Sequence, residues 1–157
     1  MYRQDGVSAM GKNILNIYGL GKLRFSASLA SGLAIAAYFV LNSAITSYFI
    51  LINVTLFGMV LIFSIIELHK QNIDGDPKEI VIDEFLGMYA LLLFYNVASP
   101  LYHLLLLFAA FRFLDIFKPP PFSWIDGMKT KYAILLDDLA IGIFLGALYK
   151  ITTGFFI

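Results

Sequence analysis

The sequence predicts an all-α protein, a polytopic membrane helical bundle of about four to five apolar helices. Hydrophobic residues make up 60% of the chain and charged residues only 14%, a balance suited to lipid as solvent. The apolar residues gather into long runs broken by short polar connections, and the charges collect in the connections on one side.

A chain of 157 residues holds a single domain, 1–157, whose motif-bearing part is 76–146. Net charge is zero, so nucleic acid has no electrostatic attraction to this chain as a partner. The absence of cysteine excludes disulfides, thiolate nucleophiles and cysteine-based zinc sites. Residues 1–13 are polar and mixed in charge, unlike a cleaved signal, so the first apolar stretch reads as a retained span.

Apolar runs fall at 27–41, 48–66, 85–97, 101–117 and 132–149. The second and fifth approach the roughly 20 residues a helical span needs. The first is short unless it begins near Phe25. The third and fourth are divided at Asn96 to Pro100, a tight helix–helix turn. Pro100 is tolerated in the first turn of the next helix, where an N–H has no helical acceptor.

Arg3, Lys12, Lys22 and Arg24 precede the first run, Lys70 and Lys78 follow the second, and Lys118, Lys129 and Lys131 follow the fourth. The intervening turns, 42–47 and 95–99, are uncharged. The positive-inside rule makes the charged side cytoplasmic, and every acid from Asp74 to Asp138 falls on or near it. Asp76-Pro77-Lys78-Glu79 has the form of a capping box with proline at the first helical position. A helix starting there places Asp83 and Glu84 about two turns in.

A carboxylate is followed by glycine on the same helical face twice: Asp83 then Gly87, and Asp138 then Gly142 and Gly146. Residues four apart share a face, and glycine lets a second backbone approach closely. The two helices are therefore expected to pack with their acids facing.

Those acids need compensation. An ionised Asp at the centre of a membrane helix costs about 2.5 to 3.5 kcal/mol on the gentler insertion scale, so Asp83, Glu84, Asp137 and Asp138 together would cost on the order of 10 kcal/mol. A divalent cation, a proton or basic partners would offset this. Hard carboxylate oxygens suit Mg²⁺ and leave room for water and phosphate. Interfacial acids reaching to water or to nearby lysines are the alternative.

Arg112, Asp115 and Lys118 recur every three residues at the end of the fourth run, on one side of the helix. They form either a salt-bridge ladder or, beside an acidic metal site, cations for a phosphoryl group. The prolines at 119–121 end that helix. Trp124 reads as an interfacial anchor, and His69 and His103 are isolated. The spaced aspartates and glycines of membrane CDP-alcohol phosphotransferases are missing.

Three blocks together resemble the phosphatidylglycerophosphatase A family: Asp76-Pro77 with Ile82-Asp83-Glu84-Phe85-Leu86-Gly87-Met88; Phe111-Arg112-Phe113-Leu114-Asp115-Ile116-Phe117-Lys118-Pro119 with Pro121; and Ile125-Asp126 with Leu136-Asp137-Asp138-Leu139 and Gly142. The segment before the first span departs from the family pattern, keeping Gly19-Leu20-Gly21 but lacking prolines and threonine between Arg24 and Gly32. The resemblance implies Mg²⁺-dependent removal of the terminal phosphate of phosphatidylglycerophosphate, giving phosphatidylglycerol, at the bacterial inner (cytoplasmic) membrane with the active site facing the cytoplasm.

The expected metal ligands are Asp83, Glu84, Asp137 and Asp138, and the expected catalytic set is Asp83, Glu84, Asp115 and Asp138, without assignment of the base. Arg112, Lys118, Asp126 and Lys129 are the expected substrate-binding residues. The partner is phospholipid substrate in the membrane; pairing as a homo-oligomer is left open. The competing readings are an ion- or proton-coupled transporter, whose intramembrane acids would bind ions, and a non-catalytic family member acting as a membrane partner.

Overall fold

Every apolar run closes into a helix. The computed structural model describes residues 14–23, 25–44, 48–71, 80–128, 130 and 132–156. A 3₁₀ turn, Leu20–Lys22, leads into α1 (Ser26–Ala44) and α2 (Phe49–Gln71). These are followed by α3 (Ile82–Leu92), α4 (Leu101–Phe117), the short α5 (Phe122–Asp126) and α6 (Ala133–Phe156). No strand occurs among the described residues.

The centre of the bundle is α3. All its residues except Glu84 and Phe85 are buried, as expected of a helix apolar on every side and enclosed by neighbours. It packs most extensively on α6 and next on α1, while α4 and α5 lie against α6. Two apolar clusters result. Leu15, Leu68, Ile80, Leu86 and Leu135 surround the start of α3; Tyr38, Met88, Leu92, Tyr95, Leu104, Phe111 and Tyr149 fill the remainder.

Among the described residues two helices are long and apolar enough to cross a membrane, Ser26–Ser43 and Phe49–Lys70, which does not by itself confirm the expected four to five spans. The third run forms the shortest of the long apolar helices. Its 11-residue helix extends only about 16 Å, half of a ~30 Å hydrocarbon core. The 17 residues of α4 stand at the short end of the roughly 17 to 25 that cross a bilayer. In contrast to α3, the outer face of α2 displays Ile50, Leu51, Met59, Ile62, Phe63 and Ile66. Only 11% of its apolar window is buried, which separates it from the core helix of a water-soluble fold. A continuous exposed apolar surface of this kind marks contact with lipid or with another protein.

One correction concerns the start of α3. The capping-box residues 76–79 lie outside the described residues, but Ile80 and Val81 are not helical and the helix begins at Ile82. Ile80, Val81 and Ile82 are buried, and the Val81 N–H donates to the Leu15 carbonyl at 3.1 Å. Tertiary pairing of this β-branched run therefore prevails over the local helix-start signal. Asp83 and Glu84 consequently occupy the first turn of α3, near its free N–H groups and the positive end of its dipole.

The expected turn after α3 is present. Ser99 N–H donates to the Asn96 carbonyl at 2.9 Å, Ala98 N–H donates to Asn96 Oδ1 at 3.0 Å, and Pro100 is the N-cap of α4. At its other end, α4 stops at Lys118, whose left-handed backbone (φ 39°) precedes Pro119.

Candidate active site

The α3–α6 crossing is built on glycines. A Cβ at Gly87 would lie 2.6 Å from the Asp138 carbonyl oxygen and 2.8 Å from the Phe111 ring, and one at Gly142 would collide with the Gly87 backbone. With no side chain between them the two backbones touch, as the carboxylate–glycine spacing predicts. One turn before each glycine stands an acid. Asp83, Glu84 and Asp138 each bring a carboxylate oxygen within 4.8 Å of the others.

These carboxylates are poorly compensated by protein. Asp83 Oδ1, Glu84 Oε2 and Asp138 Oδ1 are buried and receive no hydrogen bond. Burial, then hydrogen bonding and charge from Glu84, then the Asp138 charge, push the Asp83 carboxyl well above its usual range. Burial also raises Glu84, against the lowering effects of Asp83 and Arg112. A buried acceptor without a donor forfeits about 1 to 3 kcal/mol, more when charged. Three converging hard oxygen atoms fit a small divalent cation.

Asp115 and Arg112, from the end of α4, border this cluster. Arg112 Nη1 lies 2.6 Å from Asp115 Oδ2, Asp115 contacts Asp138, and both α4 charges act on Glu84. Arg112 Nε is buried without an acceptor, so the guanidinium retains a donor.

Asp137 is placed differently from its neighbour. It is buried, but its Oδ2 pairs with Lys118 Nζ, and it is not a member of the three-carboxylate group. Lys118 also donates to Asp126 Oδ1 at 2.8 Å. Burial alone would lower the Lys118 ammonium, but its hydrogen bonds to Asp126 and Asp137 prevail and raise it. Lys118 thus ties α5 to α6. Lys129 lies outside the described residues.

The family comparison completes this picture. The family model described as phosphatidylglycerophosphatase A matches residues 13–153, nearly the whole chain. The chain belongs to the phosphatidylglycerophosphatase A family. That family is one of phosphatases, and two apolar helices are available here for the membrane association it implies. The match also takes in the segment before α1, where the motif pattern departs. There Gly19 has φ 98°, a left-handed conformation natural to glycine, and its N–H donates to Asn16 Oδ1. No curated protein and no solved structure matches the chain.

The two histidines lie outside the cluster. His69 hydrogen-bonds the Tyr132 hydroxyl at 3.2 Å, and His103, in the first turn of α4, packs edge-on against Tyr149. The sequence reading assigned no role to Phe111. It is fully buried and lies where a Gly87 side chain would otherwise go, aligning the Arg112–Asp115 turn with the acids. Its position beside Arg112 in an aromatic run was the only signal.

Proposed function

We propose that this chain is a Mg²⁺-dependent phosphatase that hydrolyses the terminal phosphomonoester of phosphatidylglycerophosphate to phosphatidylglycerol and phosphate. The observation that carries this is the set of three donor-less carboxylate oxygens from Asp83, Glu84 and Asp138, in a chain of this family. These residues would hold the metal, with Asp115 beside them. Bound Mg²⁺ supplies charge neutralisation at the phosphoryl oxygens and acidifies water.

The protein groups divide the remaining work. A carboxylate of the cluster, or Asp115, orients water and accepts its proton as the oxygen attacks phosphorus. Arg112 presents its spare donor to the phosphoryl oxygens, where fixed cations stabilise developing charge. Lys118 holds α5 and α6 together and sets the rim of the site beside Asp126, and Lys129 is kept from the sequence as a further cation for the phosphate. The leaving glycerol oxygen takes back, as the ester bond breaks, the proton that the carboxylate accepted from water.

The lipid's acyl chains remain in the bilayer beside α1 and α2, which form the membrane-spanning part. The acidic end faces the cytoplasm of a bacterial inner membrane, with the basic connections on the same side. Phosphate release by the purified protein from phosphatidylglycerophosphate, measured with Mg²⁺ and with chelator, tests this directly. Metal-dependent release is expected; absence of release in a folded preparation would favour a non-catalytic membrane partner.

A further inference from the structure

The opposite end of the bundle contains a crevice of about 500 Å³, between the end of α1, the start of α2, the turn after α3 and the second half of α6. Lys150 at its rim is twelve residues beyond Asp138 on α6, about 18 Å along the helix from the acidic cluster. Its walls are apolar and aromatic, including Phe49, Ile50 and Phe94.

Those walls are preset. Tyr38 Oη donates to the Tyr95 carbonyl at 3.1 Å, Tyr95 Oη to the Ser99 carbonyl at 3.3 Å, and Tyr95 stacks on Tyr149. Asn53 donates to the Phe49 carbonyl and accepts from Tyr89. Of the polar side chains left at the rim, Lys150 is the one that carries charge. Asn96 Oδ1 is already used by Ala98 N–H, leaving its amide hydrogens; Asn42 also lines the rim. Among the described residues Lys150 has no ion pair, and no carboxylate lines the crevice. Aromatic and aliphatic walls with a few convergent polar groups are the usual make-up of a small-molecule site.

We propose that this crevice binds one anionic phospholipid, its head group on Lys150 and the asparagine amides and an acyl chain along Phe49, Ile50 and Phe94. Charge complementarity selects the head group, and the exposed face of α2 beside Ile50 provides the route from the bilayer. The site rests on the membrane setting given to α1 and α2 and not on catalysis at the acidic end.

The test uses Ile50→Trp in a Trp124→Phe background, so that the introduced indole is the only one. Its fluorescence is followed in vesicles doped with lipids brominated on the acyl chain, without Mg²⁺ and without substrate. Brominated phosphatidylglycerol is expected to quench at about fivefold lower mole fraction than brominated phosphatidylcholine, the worth of one lysine near an anionic lipid. Brominated phosphatidylserine should match phosphatidylglycerol, because charge is what the rim reads. In Lys150→Gln the preference should vanish while phosphate release is unchanged. Equal quenching by charged and neutral lipids, a preference confined to one anionic head group, or a preference surviving Lys150→Gln overturns the site. A protein without phosphatase activity still gives the quenching result, so the two failures are separable.

Discussion

The two ends of the α3–α6 contact differ in how they treat buried oxygens, although His103 Nδ1 at the far end is also buried without a partner. At the far end the aromatic hydroxyls are satisfied: Tyr38 and Tyr95 donate to carbonyls, Tyr89 donates to Asn53, and Tyr149 meets Ser99 at 2.6 Å. At the near end Asp83, Glu84 and Asp138 crowd together and leave oxygens without donors. Folding alone would favour the first solution everywhere, since unsatisfied buried charge is the costlier arrangement. The near end therefore carries the unmet oxygens that the proposed metal would use.

The largest effect should come from emptying the near end of charge. Asp83→Asn and Asp138→Asn should each lower phosphate release by about a thousandfold or more, because losing several kcal/mol of charge stabilisation costs tenfold per ~1.4 kcal/mol. Turnover assays alongside a folding check by circular dichroism measure this. Activity retained in both variants would remove the metal assignment.

Next comes the contact that brings the acids together. Gly142→Ala forces a methyl group into the Gly87 backbone and should destabilise the protein by about 3 kcal/mol, the upper end of overpacking costs. Gly58→Ala, where nothing lies within 4 Å of an added Cβ, should be neutral or slightly stabilising. Thermal unfolding of both variants in the same detergent makes the comparison.

Asp137→Asn sharpens the contrast between adjacent carboxylates. By loosening Lys118 without removing a member of the cluster, it should lower activity by about 10- to 100-fold, the scale of lost supporting contacts around a metal site. A loss equal to that of Asp138→Asn would make Asp137 a direct ligand. The smallest effect is expected at the far end, where His103→Ala should leave phosphate release nearly unchanged. A large loss there would contradict the separation of the two ends.

Much of the near end could be read in advance because its signals are local. Asp83 with Gly87, and Asp138 with Gly142, are one turn apart on their own helices, so each spacing marks a face before any partner is known. The Arg112–Asp115 pairing is likewise an i,i+3 contact within one helix.

What lay beyond the sequence depended on partners distant along the chain. Asp137 and Asp138 differ by about 100° around a helix, so only the rotation of α6 against α3 decides which joins the cluster and which meets Lys118. The start of α3 was decided by Val81 pairing with Leu15, which no window around residues 76–79 contains. An apolar run also reads alike whether lipid or protein surrounds it. The chain by itself determined which helices are apolar and which faces carry acid and glycine; packing decided that α3 is enclosed and short while α2 is left bare, because burial belongs to a helix's neighbours and not to its composition.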